Sequence, residues 1–316
     1  MFVARGLAVS FSFFFIIYCL LSLVVALAWR RALTASHGHP TGRIADLLFV
    51  LRMFPLASAA FVTVAFALPS FLLLEPRKIN EPLSPISVVL GICGAGLTLF
   101  SISNAGSALW RAWRTIEKWM HGSRLLNASV PIPVIRISPP VPAIAAAGII
   151  WPKVLLSGTA ESVLTPRELQ AALNHEMAHV RRRDNLKKLL LRCVPFAGTT
   201  ELEAAWLQNT EMAADDAAVT NVGEALDLAA ALIKLSRLGP LQPPAELAAA
   251  LVHSPASAVN ARVERLIGWS AESSRTAPAL PRWLGVSSAL AAASVIVLTY
   301  THLLASMHEA TEWLFR

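Results

Sequence analysis

His175-Glu176-Met177-Ala178-His179 is the stretch of this sequence whose residue types and spacing could do chemistry. Residues four apart share a helix face, so imidazoles at 175 and 179 can reach one metal ion. Glu176 is offset around the helix, near the ion but not bound to it. From there it can take a proton from a water that the ion activates. On a helix, this H-E-x-x-H pattern is the signature of zinc-dependent peptide hydrolysis; the competing reading is a surface helix whose spacing is accidental.

A catalytic zinc takes three protein ligands and keeps one position for water. The run from Asn209 to Asp216, NTEMAADD, offers carboxylates on a second predicted helix. Glu211 is the expected third ligand, with a plain solvated glutamate as the alternative. Asp215 lies one turn later on the same face, where it could bond a ligand histidine and fix its tautomer. Asp216 reads as a surface residue. Arg181, Arg182 and Arg183 read as membrane-proximal positive charge, with Asp184 pairing among them.

Several elements that must position these groups are legible. Thr165-Pro166-Arg167-Glu168 combines a capping residue, a proline at the first helical position and a glutamate at the third, which predicts a helix start. Leu169, Ala172, Met177 and Val180 carry that helix through His179 towards Arg183. Further helices are expected over about 202–219 and 223–238, with a break at 239–244 and partial helix in 245–267. Upstream, prolines between Pro131 and Pro142 punctuate short apolar runs at 134–137, 143–150 and 154–156. These predict a small sheet with Gly148 at a turn or bulge. One of its strands could be the edge along which an extended peptide pairs. Leu189 to Phe196 is too short to cross a membrane and reads as buried or interfacial.

Composition sets the surroundings. Charged residues make up 15% of the chain, against about 25% in an average soluble domain, and the mean hydropathy is +0.56. Four stretches are long and apolar enough to span a bilayer: about Gly6 to Trp29, Met53 to Leu74, Ser84 to Ser103, and Trp283 to Ala305. The first loop carries Arg30, Arg31, Arg43 and Arg52, and the segment after the third span is basic. Positive charge therefore orients that loop and the segment 104–282 to the cytoplasm, with both termini outside. Residues 104–125 read as a basic helix leaving the membrane; Trp110, Trp113 and Trp119 suit either the interface or packing on the domain. The net charge of +7 is assigned to the lipid bilayer, since no arginine-rich tail or aromatic-interleaved basic stripe speaks for direct nucleic-acid binding. Three scattered cysteines, with no CxxC, give neither a disulfide framework nor a cysteine zinc site.

HEMAHVRRRDN followed by EMAADDAA resembles the membrane metallopeptidases of the BlaR/MecR antirepressor type, gluzincins related to HtpX-type and CAAX-protease-type membrane peptidases. The resemblance is most specific over residues 168–217. It implies a mainly α membrane protein of four transmembrane helices, with a cytoplasmic α+β gluzincin-like zinc peptidase domain between the third and fourth. The expected division is three spans in 1–103, the zinc metallopeptidase domain in 104–282, and the fourth span with a short external tail in 283–316. The implied setting is the bacterial inner membrane, multi-pass, and the implied activity is cleavage of a cytoplasmic protein substrate, often a transcriptional repressor, or self-cleavage. In related peptidases a His or Arg from the segment after the metal-binding helices steadies the oxyanion, which makes His253 and Arg262 candidates; Arg265 reads as surface charge. The best-known members carry a large penicillin-binding sensor after the fourth span. This sequence ends about ten residues beyond that span, a departure from those members that puts direct β-lactam sensing by this polypeptide in doubt and makes a separate sensor protein a candidate partner. The competing readings are a housekeeping quality-control protease and a non-catalytic zinc-binding scaffold or receptor.

Overall fold

The computed structural model describes residues 2–36, 38–75, 84–121, 123–126, 131–137, 143–238, 249–250, 256–269, 294, 296, 299–310 and 312. Among the described residues, three helical stretches are long and apolar enough to cross a membrane: Phe2–Ala35, Thr41–Leu74 and Pro85–Met120. The protein is mostly helical and membrane-embedded. The first stretch is α1 (Phe2–Ala35). The second is α2 (Thr41–Val62), a π-helical turn (Thr63–Ala67) and α3 (Leu68–Leu74), and the third is α4 (Pro85–Met120). Most of the predicted fourth span lies outside the described residues. Residues 299–310 are helical, and Tyr300 Oη donates to the Ala65 carbonyl, 2.9 Å away in the π turn.

The second stretch begins at Thr41 rather than near Met53, because its first turns have a partner to pack against. Ala45 and Leu48 are fully buried in one apolar cluster with Val25 and Trp29 of α1 and with Leu202 and Trp206 from the domain beyond. Arg52, expected at the end of a basic loop, lies inside α2 and is 2% exposed. It donates to Glu203 Oε1 at 3.0 Å and to the Val194 carbonyl. A charge buried this deeply is tolerable only because it is paired.

The domain after α4 is built on a five-stranded sheet in the order β1-β2-β4-β3-β5. The strands are β1 (Arg124–Leu126), β2 (Val134–Ile137), β3 (Ile144–Ala147), β4 (Lys153–Ser157) and β5 (Ala249–Ala250). Only β2 and β4 run parallel; the other neighbours are antiparallel. Residues 104–125 are thus not one helix: α4 stops at Met120 and the chain turns back as β1. The helices are α5 (Gly158–Val163), α6 (Pro166–Arg182), α7 (Asp184–Arg192), α8 (Thr200–Ala218), α9 (Val222–Ser236) and α10 (Ala256–Ile267). Strand alternation sends Ile144, Val154 and Leu156 to one face, where α6 and α9 cover them through Ala172, Leu173, Leu228 and Leu232. Ile135, Ile137, Ala147 and Leu155 face the other way, onto Ala112 and Trp119 of α4. Trp119 therefore packs on the domain, while Trp110 and Trp113 stay exposed. The segment read as buried or interfacial splits: α7 ends at Arg192, and Val194 is buried against Tyr18 and Ala59 of the membrane helices.

α1 and α4 approach closely because α4 has glycines at the crossing. A Cβ at Gly94 would run into the Phe11 backbone, and one at Gly91 would lie 3.0 Å from the Ala8 backbone. Small residues permit such contact between membrane helices. A methyl at Gly96 would meet nothing within 4 Å. We expect Gly94→Ala to cost about 1–3 kcal/mol through overpacking and to lower the thermal midpoint in detergent, while Gly96→Ala leaves it nearly unchanged.

Candidate active site

The capping box read from the sequence is formed: Thr165 Oγ1 accepts from Glu168 N, and Glu168 Oε2 accepts from Thr165 N. It fixes the start of α6. The helix is stopped at Arg183, which adopts a left-handed conformation, φ 55°, and the chain turns directly into α7. Between those ends, His175, Glu176 and His179 are all buried, at 0%, 0% and 2% exposure. The two histidines face α8, and none of the three faces solvent.

Two imidazoles and one carboxylate converge. The Nε2 atoms of His175 and His179 lie 3.1 Å apart. Glu211 approaches with Oε2 3.6 Å from His175 Nε2 and Oε1 3.6 Å from His179 Nε2. One donor atom from each of the three lies within 4.8 Å of the others, an arrangement that could hold a metal ion. The opposite ring nitrogens face carboxylates. His175 Nδ1 is 3.0 Å from Asp215 Oδ1, and His179 Nδ1 is 2.7 Å from Asp184 Oδ2. A carboxylate behind each histidine sets its tautomer so that Nε2 presents a lone pair.

Arg262, 3% exposed, reaches in from α10. Its Nε and Nη2 donate to Asp215 Oδ2 and Oδ1 at 2.7 and 2.6 Å, and Nη1 lies 3.0 Å from Glu211 Oε2. All three nitrogens thus face carboxylates, which holds Glu211 and Asp215 in place. Arg265, on the same helix, pairs with Asp216. Asp216 also accepts from Thr41 Oγ1 at 2.7 Å, so it is a joint to α2 instead of a bare surface charge. His253 lies outside the described residues.

Glu176 turns towards the sheet. Its Oε2 accepts from Ala146 N of β3 at 2.6 Å, while its Oε1 is buried and makes no hydrogen bond. Burial raises its pKa above the usual carboxylate range, opposed by the two histidines. The Ala146 carbonyl is held by Asn185 Nδ2 at 3.0 Å, and the same amide donates to the Gly148 carbonyl at 3.1 Å. Beyond Ala146, β3 pairs with β5 through Ala145↔Ala250 and Ala146↔Ala249, so its outer edge carries a strand of the chain's own.

Electrostatically the site is built for a cation. Burial would push the His175 imidazole down, yet Asp215 and Glu211 override it and raise the pKa to about 9. Burial would likewise raise Glu211, but His179, His175 and Arg262 hold it far below the usual range. Asp215 is lowered against its burial by Arg262. Lys188, one turn beyond Asp184, is pulled down by burial against the attraction of Glu211, Asp184 and Glu176. Two imidazole nitrogens and a carboxylate oxygen, with an unpartnered Glu176 oxygen beside them, fit the donor set of a catalytic zinc.

Asp184, Asn185 and Lys188 are the residues of this site that sequence reasoning missed. Asp184 sits among arginines and was read as their partner; it does lie 3.8 Å from Arg182 Nε. What directs it to His179 is the left-handed turn at Arg183, which no residue type announces, since such turns favour glycine or asparagine.

With this geometry in hand, comparison with protein families adds that residues 131–282 match the model of peptidase family M48. That stretch is similar to the metallopeptidase domains of family M48. The family includes HtpX-type and BlaR-type membrane metallopeptidases, and its members are in general zinc-dependent. No curated protein matches the chain. The matched stretch contains all the residues that converge here, from Ala146 on β3 to Arg262 on α10.

Two outcomes follow for metal binding. Asp184→Asn, which removes the charge behind His179 but keeps its shape, should weaken zinc affinity about 10–100-fold in a chelator competition. The pH dependence has a definite sign. The His175 pKa is raised from 6.5 to about 9 in the ion-free protein. The protonated ring therefore contributes stability fully below pH 6.5, and that contribution is lost as pH rises through 9. A ligand imidazole must be neutral, so zinc uptake at pH 7 should release about one proton. Calorimetry in buffers of different ionisation enthalpy checks this; uptake without proton release would contradict it.

Proposed function

We propose that this protein is an integral-membrane zinc-dependent endopeptidase that cleaves a cytoplasmic protein in regulatory signalling, by repressor cleavage or self-cleavage. The observation that carries the reading is the convergence of His175, His179 and Glu211 beside a buried Glu176 oxygen that has no partner. A structural metal site has no need of such a group, which weighs against a non-catalytic scaffold. Leaving it unbonded costs stability, and a general base is what makes use of it.

In this reading His175, His179 and Glu211 hold zinc, with Asp184 and Asp215 orienting the rings and Arg262 steadying Glu211. Zinc bound there would supply Lewis acidity that acidifies a water and polarises the scissile carbonyl. The residues do the rest. Glu176, with its pKa raised by burial, accepts the proton of the attacking water and hands it to the departing amine. β3 lies beside it, with Ala146 N bonded to its Oε2. An extended peptide using the β3 edge would have to share or displace the pairing with β5. The domain lies on the cytoplasmic side, following the basic residues of the first loop. A separate sensor protein is the expected partner, and a transcriptional repressor the expected class of substrate. A housekeeping protease would use the same site, so the identity of the cleaved protein separates the two.

Wild type and Glu176→Gln, purified in detergent, should each hold about one zinc, and only the wild type should create new amino termini in the cell's soluble proteome. Cleavage by the Glu176→Gln protein would overturn the role given to Glu176. Absence of zinc from metal-replete wild type would overturn the whole reading.

A further inference from the structure

On the sheet face opposite α6, a groove of about 470 Å³ separates α4 from the turn joining β3 to β4. That volume falls within the roughly 300–1,000 Å³ of small-molecule sites. Its walls are apolar: Trp113, Ile116 and Met120 on α4, and Ile149, Ile150 and Trp151 on the turn, with Glu117 and Lys153 as its charged lining residues. Trp110 and Trp113 are 53% and 58% exposed, Ile150 and Trp151 75% and 78%. A soluble surface seldom shows such a contiguous aromatic and aliphatic patch unless something covers it.

α4 tells what covers it. From Pro85 through Trp110 the helix carries no charged residue; Arg111 is the first. At 1.5 Å per residue that stretch is ~39 Å long, more than the ~30 Å of a bilayer's hydrocarbon core. The membrane surface therefore falls near Trp110, where the sequence reads Trp110-Arg111-Ala112-Trp113-Arg114. Tryptophan beside arginine is the composition of the membrane–water interface. The Arg114 guanidinium stacks 4.4 Å from the Trp110 ring centroid, leaving its charge at the surface. The groove opens on this same stretch of α4, so it is continuous with the bilayer face. Lys153 lines the groove beside the carboxylate of Glu117, and Arg114 lies over Trp110 at its membrane end; cations in these places suit an anionic headgroup.

We propose that this groove is a phospholipid site: an acyl chain lies between Trp113 and the Ile149–Trp151 turn, and an anionic headgroup meets Lys153. The turn is not a loose appendage. Gly148 adopts φ +93°, and a Cβ there would meet the Trp151 carbonyl oxygen at 2.6 Å. Asn185 pins the Gly148 and Ala146 carbonyls. A seated lipid thus bears on the strand whose Ala146 N–H bonds Glu176. The inference needs only the fold and the membrane helices, so it stands or falls independently of the peptidase chemistry.

The test uses the full chain in nanodiscs of phosphatidylcholine with and without phosphatidylglycerol. A nitroxide is placed by Ile150→Cys in a background with Cys19, Cys93 and Cys193 replaced by alanine, and its collisions with oxygen and with a water-soluble nickel chelate are compared. The expected result is a label favouring oxygen, at headgroup depth or deeper. In parallel, native mass spectrometry counts phosphatidylglycerol retained after detergent extraction. Trp113→Ser should weaken retention about tenfold through lost apolar contact, and Lys153→Glu should weaken retention of phosphatidylglycerol but not of phosphatidylcholine. A label freely reached by the nickel chelate, or lipid retention unchanged in both variants, would overturn the proposal. So would a label shielded only after an apolar peptide is added, which would make the groove a polypeptide site instead.

Discussion

Everything in the domain depends on burying two histidines one turn apart on α6 with a carboxylate facing each ring. His175 and His179 turn Nε2 towards a common point, and a buried ring nitrogen on the other side must then find a partner. Three separate elements meet that demand. α7 supplies Asp184, α8 supplies Asp215 along with Glu211, and α10 sends Arg262 to neutralise both carboxylates of α8. Without Arg262 the buried Asp215 would lose its guanidinium partner, the case in which a broken buried pair costs most. The site is thus also a hub of the fold.

The same economy ties the site to the membrane helices. α2 begins with Thr41 bonded to Asp216, next in sequence to Asp215. One turn on, Asp46 accepts from Arg182 at 3.2 Å and from Lys187 at 2.8 Å, at the corner between α6 and α7. Arg52 grips Glu203 at the start of α8. The first turns of α2 therefore touch the three helices that carry His179, Asp184 and Glu211. The exposed pairs contribute little individually; the buried Arg52 and the apolar cluster around Trp206 do more to hold α2 on the domain. The sheet plays a different part, offering through Ala146 one backbone N–H to Glu176.

Much of this was legible in the chain itself. H-E-x-x-H at 175–179 places two imidazoles on one face because the helix period demands it, and the Thr165–Glu168 capping box announces where that helix starts. The apolar runs near the amino terminus mark membrane helices because only uninterrupted apolar side chains can face lipid. Glu211 and Asp215, four apart, had to share a face for the same periodic reason. Local order is written in local sequence wherever a period or a cap decides it.

What tertiary structure alone decided is which groups meet across elements. Asp184 was one acidic residue beside three arginines until the left-handed turn at Arg183 swung it onto His179. Arg262 was a candidate oxyanion donor and Arg265 a surface charge until the fold gave each its carboxylates: the inward one neutralises Glu211 and Asp215, the outer one pairs with Asp216. The first turns of α2 read as loop because polar and basic residues interrupt the apolar run; packing on α8 made them helix. β1 and β5 were invisible because strands of two or three residues carry no period, and exist only where β2 and β3 offer a neighbour to pair with. Sequence by itself determined the chemistry available and the helices that bear it. The fold decided the partners, because the energy of a buried charge depends on what faces it from elsewhere in the chain.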